Sequence, residues 1–326
     1  MTSVFQFILR AIMQGTPLLY GATGEIITEK SGNLNLGIPG IMYMGAISGV
    51  IGGFLYQTNA SHINSFLAVI IPLLFSIIGS LLVSLLYCFL TVTLRANQNV
   101  TGLAITTFGV GFGNFFGGSL IKVLGSDVPY LSLVKIATAY KKSLPFAADM
   151  GAFGKMIFSY GFMVYLAVAI ALISGFVLKK TKVGLHLRAV GENPATADAA
   201  GINVNRYKYF ATSIGGVIAG LGGLYYVLDY SNGIWSNNGF GDRGWLAIAI
   251  VIIAMWKPSL SIIGSYVFGA LYILFNYLTV PMTYIPIIQM LPYVATIIVL
   301  IFVSMKNKKE NQGPQSLGLS YFREER

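Results

Sequence analysis

Apolar residues in this chain run in long stretches instead of alternating with polar ones; residues 66–94 are almost continuously apolar. A helix needs about 20 such residues to cross the hydrocarbon core of a bilayer. Nine segments approach that length: 5–27, 36–56, 66–94, 100–121, 156–178, 209–228, 245–256, 260–280 and 285–305. Arg10 and Gln14 interrupt the first, and the seventh is short, with room to begin inside the Gly-rich stretch before it. A lipid-exposed barrel would alternate apolar and polar residues over about 10-residue strands. In lipid every backbone N–H and C=O must pair within the protein, so the pattern predicts an all-α, polytopic transmembrane bundle of eight or nine spans. Residues 1–305 form the membrane domain in this reading, and 306–326 a basic cytoplasmic tail. With nine spans the N-terminus lies outside. With the first segment lying in the interface there are eight, and it lies inside.

Composition agrees with lipid as the main solvent. Of 326 residues, 55% are hydrophobic and 10% charged, with mean hydropathy +0.72; soluble domains carry about 25% charged residues. The net charge of +10 would suggest nucleic acid as partner in a soluble protein. Here it follows the loops. With the tail inside, the inner segments hold 14 of the 21 Lys and Arg, the bias that orients membrane proteins. Four of the outer lysines share one longer loop, 125–155. Lys306, Lys308 and Lys309 suit attraction to anionic lipid. No nucleic-acid partner is expected. The lone Cys88 sits in an apolar run, and His62 and His186 fall in different loops without neighbours at ligand spacing. No metal site and no catalytic set is expected. The N-terminus lacks a small-residue cleavage site after a short apolar core, so it does not read as a removed signal peptide.

Small residues recur four apart within the spans: Gly45, Gly49 and Gly53; Gly109, Gly113 and Gly117; Gly216 and Gly220 with Ala219 and Gly223. Such faces let helix backbones approach closely, as tight packing or as a helix pair that rocks during transport. No Asp, Glu, His or Lys falls at the centre of a strong span, which argues against an ion-coupled carrier. Residues 31–40, SGNLNLGIPG, bring irregular backbone to a membrane boundary, with a helix starting near Pro39. Buried in protein or lining a cavity, such a segment can serve a substrate path through Asn33 and Asn35; it can equally cap a helix. Asn114, Asn276 and Gln289 are polar in apolar spans, facing either a neighbouring helix or a pore.

The loop after the fifth span is well punctuated. Asn193 suits an N-cap, Pro194 a first helical position and Gly201 a C-terminal stop. Two turns of helix are marginal alone, so this piece packs against something, as a capped connector or as a knob in a partner's groove.

Within it, GLHLRAVGENPATADAAGI (184–202) resembles the cytoplasmic coupling segment of permease subunits of bacterial ABC importers, in the branched-chain amino acid and simple-sugar permease superfamily. EIITEKSGNLNLGIPGIMYMGA (25–46) resembles the segment after the first span in the nucleoside and simple-sugar branch. The resemblance extends from about residue 16 to 305; the chain departs from many relatives in having Pro39 where they carry Glu. It implies a multi-pass plasma-membrane subunit that forms the translocation path with a second, homologous permease. It also implies a cytoplasmic ABC ATPase docked under Gly191, Glu192, Asn193, Pro194, Asp198 and Gly201, and an extracellular lipoprotein or periplasmic protein that delivers substrate. ATP would bind the partner subunits and no cofactor this chain, which lacks a GxxxxGK[ST] phosphate loop. Nucleosides are the expected cargo, with simple sugars or branched-chain amino acids as alternatives. The rival from another class is a stand-alone secondary carrier.

Overall fold

The computed structural model describes residues 3–123, 131–142, 151–278, 280–305 and 312–324. Among the described residues, seven helical stretches are long and apolar enough to cross a bilayer: Ile38–Asn59, Ser65–Thr93, Gln98–Leu120, Phe162–Lys180, Val204–Tyr230, Pro258–Tyr277 and Met282–Phe302. Two more helices run among them. Helix α1 (Ser3–Glu29) has 27 residues, about 40 Å at 1.5 Å per residue. The short α11 (Arg243–Ile253) has 11. Set beside the seven, they match the first and seventh segments of the longer count, although 11 residues reach only about half the way across the hydrocarbon core.

Helices α2 (Ile38–Asn59) and α10 (Val204–Tyr225) form the centre with α1. Helix α3 (Ser65–Cys88) and α4 (Gln98–Val123) pack on α2, while α7 (Phe162–Lys180), α11 and α12 (Pro258–Ile273) pack on α1. Burial follows this order: 78% of the α2 and α10 windows is buried against 6% for residues 282–302 at the periphery. That outer stretch, with Ile297, Ile301 and Phe302 more than half exposed, has lipid as its solvent.

Glycines set the close crossings. A Cβ on Gly109 would lie 2.6 Å from the Gly40 Cα, and one on Gly45 2.5 Å from the Gly220 carbonyl oxygen. Gly24 of α1 and Gly215 of α10 face each other's backbone, and Gly216 and Gly220 receive Ser84 and Ser80 of α3. Lipid tails are as apolar as leucine, so helices gain by close dispersion contact between small residues. Further out on α4, Gly113 and Gly117 accommodate the Trp235 ring.

Several segments are broken where a continuous helix was expected. The fifth divides into α6 (Gly151–Phe158) and α7. At Gly161, between them, a Cβ would overlap the Asp229 carboxylate and the Tyr140 carbonyl, so the chain turns there on a residue without one. The eighth leaves the α-helix after Ile273 for a 3-10 turn, Leu274–Tyr277. The ninth becomes α13 (Ile285–Gln289) and α14 (Leu291–Met305). Pro286 and Pro292 lie near the two starts, where a missing N–H costs nothing. The seventh begins two residues earlier, at Arg243, and takes in Gly244 at the end of the Gly-rich stretch before it.

Outside, Leu131–Ser132 (β1) pairs antiparallel with Ile234–Trp235 (β2), and α5 (Val134–Tyr140) packs on α3. Much of the long outer loop, and Lys306, Lys308 and Lys309 of the tail, lie outside the described residues. Inside, the end of α1, residues 181–203 and residues 312–324 meet one another. The Glu29 end of α1 is therefore on the tail's side, and its Ser3 end on the other.

Candidate coupling surface and buried polar loop

The inner face carries two joined features. The first is a helical pair. Helix α8 (Lys182–Glu192) precedes α9 (Pro194–Ala199). Helix α9 has the predicted punctuation: the Asn193 side chain accepts from Thr196 N at 3.0 Å, Pro194 opens the helix, and Gly201 has φ +82. Helix α8 was not foreseen. Its signals were present: the Thr181 hydroxyl accepts from Gly184 N at 3.1 Å, and Gly184, Leu187, Val190 and Gly191 form a buried stripe at helical spacing.

Gly191 joins this pair to the bundle. It lies on the Lys30 carbonyl, where a side chain would collide. Glu192, Asn193 and Gly201 are exposed, and Pro194 is half-buried. Asp198 is held by the Tyr321 hydroxyl at 2.8 Å and by Arg323 Nε at 3.2 Å. Burial lowers the proton affinity of Lys30; Glu192 opposes that shift, while Arg188 and Lys257 add to it. The four charges thus share one field at the inner end of α1.

The second feature is the irregular segment 31–37, which is buried, not exposed. Side chains from several helices take up its backbone groups. Asn35 N donates to Glu25 Oε1 at 3.0 Å, Leu34 N to Gln98 Oε1 at 2.7 Å and Gly37 N to Asn35 Oδ1 at 2.9 Å. The Leu34 carbonyl accepts from the Tyr87 hydroxyl at 2.5 Å, and the Leu36 carbonyl from Thr106 Oγ1 at 2.7 Å. A buried backbone without secondary structure needs such partners. Asn33 Nδ2 donates to Thr212 Oγ1 at 3.1 Å, leaving Asn33 Oδ1 and Asn35 Nδ2 buried without a partner.

Sequence reasoning missed most of this support. Glu25 and Glu29 are buried in the last turns of α1, where Trp256 Nε1 donates to Glu29 Oε2. Two carboxylates four residues apart at the end of an apolar helix were the available signal. Lys208, Asp229 and Arg243 are buried near span ends as well. Arg243 lies among the rings of Tyr226, Tyr230 and Tyr272 and donates to the Phe240 carbonyl at 2.7 Å.

The five polar candidates do not converge. Asn33 and Asn35 lie near the inner face. Asn114 is at the outer end of α4, paired twice with Asn238, Nδ2 donating at 2.8 Å and Oδ1 accepting from Asn238 N at 3.0 Å. Asn276 and Gln289 are exposed on the periphery.

The comparisons with known proteins fit this arrangement. A putative glucose ABC transporter permease protein of Haloferax volcanii is 32% identical over 81% of this chain and 75% of its own length. A nucleoside ABC transporter permease protein of Lactococcus lactis is 32% identical, and a guanosine ABC transporter permease protein of Bacillus subtilis 30% identical, each over 89% of both chains. The family described as branched-chain amino acid transport system / permease component matches residues 7–303, and with nearly every pass inside that match this multi-pass membrane protein belongs to that family of transport subunits.

Proposed function

We propose that this chain is the permease subunit of an ATP-driven importer of nucleosides, working with a second, homologous permease, a separate cytoplasmic ATPase and an extracellular substrate-binding protein. One observation carries the coupling role: a six-residue capped helix stands at the inner face and is fastened through Gly191 to the end of α1. A helix that short does not persist alone in water. Held in this way, it is a rigid knob for a groove on an ATPase. Closure of the ATPases would move α8 and α9 as one body, and the contact at Lys30 would pass the motion to α1 and to segment 31–37. Packed helices respond to such a push by rigid-body rocking. The unpaired Asn33 Oδ1 and Asn35 Nδ2 offer an acceptor and a donor where that segment would open.

The nucleoside reading rests on two relatives similar over 89% of both chains whose names specify nucleoside and guanosine transport. The glucose-transporter relative supports the same machine with a sugar as cargo. The deciding experiment co-expresses the tagged chain with the products of its neighbouring genes and reconstitutes the captured complex in liposomes. Capture of an ATPase and a second multi-span protein, with ATP-dependent uptake of labelled guanosine over labelled glucose, is the expected result. Uptake by the chain alone without ATP would replace this reading with a secondary carrier.

A further inference from the structure

Residues 314–323 lie across the inner face. Ser316 N and Oγ donate to the Gly191 carbonyl at 3.0 and 2.5 Å. Gly318, with φ +81, turns the chain so that its N–H donates to the Gly32 carbonyl at 3.2 Å. The Leu319 carbonyl accepts from Gln98 Nε2 at 3.3 Å, and Ser320 Oγ donates to the Arg95 carbonyl at 3.4 Å. The Arg95 guanidinium sits 4.6 Å from the Phe322 ring centroid. Tyr321 and Arg323 then reach Asp198 on α9.

These contacts form a circuit. Tyr321 packs on the small cluster of Val190, Ala197 and Val204 that seats α9, so part of that seat comes from 123 residues away in sequence. Gln98 faces both ways: its Nε2 holds the Leu319 carbonyl, while its Oε1 accepts from Leu34 N. The returning segment therefore grips α9 at one end. In its middle it grips the backbone of the buried loop at Gly32 and, through Gln98, at Leu34. Displacing α9 pulls on this loop by a route separate from the Gly191–Lys30 contact.

We propose that residues 314–323 are a strap that transmits movement of α9 to segment 32–34, with Ser316, Tyr321 and Arg323 as positioning residues. This rests on the reading of α9 as the ATPase dock. Helix α8 is held by α7 and α10 as well as at Gly191, whereas the strap reaches α9 itself and ties its Asp198 to the loop backbone. Displacement of α9 thereby becomes a defined movement of the loop.

The test uses the whole complex in proteoliposomes and reads guanosine taken up per ATP hydrolysed, with ATPase capture measured in parallel. One variant ends the chain after Gly313. A second carries Tyr321→Phe and Arg323→Gln, which removes the Tyr321 and Arg323 contacts to Asp198 with little loss of packing. In each the ATPase stays bound and hydrolyses ATP, but uptake per ATP falls about tenfold, within the range of couplings seen between linked sites. Tyr321→Phe with Arg323→Lys, which keeps a cation beside Asp198, retains part of the ratio that Tyr321→Phe with Arg323→Gln loses, which a merely structural tail would not do. An unchanged ratio in both strap variants overturns the proposal. Loss of the ATPase from the complex also overturns it, because the strap is then part of the dock and not a transmitter. If the intact chain captures no ATPase, the importer reading itself has failed and the strap proposal falls with it.

Discussion

Gly109 and Gly111 sit two residues apart on α4 and point in different directions, which permits an internally controlled measurement. A Cβ on Gly109 would lie 2.6 Å from both the carbonyl carbon and the Cα of Gly40 on α2. These are backbone atoms of a helix start packed from several sides, so neither can rotate away. A Cβ on Gly111 meets nothing within 4 Å. Both glycines are helical, and Gly→Ala within a helix gains about 0.8–1 kcal/mol from backbone entropy. That gain is common to both variants and cancels in their difference. What is left is the clash, and overpacking of this kind typically costs about 1–3 kcal/mol. Gly109→Ala is therefore expected to be less stable than Gly111→Ala by about 1–3 kcal/mol, with Gly111→Ala at or slightly above the wild type. The assay is unfolding of the purified chain in mild detergent, by denaturant titration or thermal ramp, with all three proteins in one lipid–detergent mixture. Equal stability of the two variants would refute the claim that α2 and α4 meet backbone to backbone at this point.

Three further perturbations address the inner face. Asn193→Ala removes the cap on Thr196 N and is expected to destabilise α9 by about 1 kcal/mol; faster hydrogen exchange confined to residues 194–200 is the readout, and unchanged exchange counts against the cap. Gly201→Val forces a β-branched residue into φ +82 with open space around it, so ATPase capture should fall while thermal stability of the bundle stays near wild type. Normal capture and uptake would remove that turn from the docking surface. Glu192→Lys withdraws the charge that offsets the burial of Lys30 and adds a cation to a field in which Arg188 and Lys257 already act on Lys30; weaker ATPase capture that recovers as salt is raised is expected, since screening relieves like-charge repulsion. A capture yield unchanged at every salt concentration would take Glu192 out of the interface.

Much of this architecture was readable along the chain because its causes are local. A segment of about 20 apolar residues has one low-energy form in lipid, so the spans could be placed to within a few residues. Asn193, Pro194 and Gly201 punctuate α9 by backbone rules that act over one turn. The glycines of α2, α4 and α10 also announced close approach, although not their partners. The breaks were less legible. Gly161 interrupts the fifth segment because of Asp229 and Tyr140, which lie far from it in sequence. Helix α8 was hidden by its short apolar stripe in a basic loop.

The candidate site divides along the same line. Its cytoplasmic knob follows from residues adjacent in the chain, whose capping and turn preferences need no tertiary partner. The burial of segment 31–37 does not, because its backbone groups are taken up by Glu25, Tyr87, Gln98 and Thr106 from three helices. Nothing in a row of Ser, Gly and Asn distinguishes a solvated loop from one held on every side. The tail makes the same point. Read as a sequence, it is a basic end beyond the last span; folded, residues 316–323 complete the seat of α9. Hydrophobic length and backbone punctuation are properties of neighbouring residues and are written in their order. Which polar group meets which is set when the helices pack, by a match of donors and acceptors across intervals as long as the 123 residues between Asp198 and Tyr321.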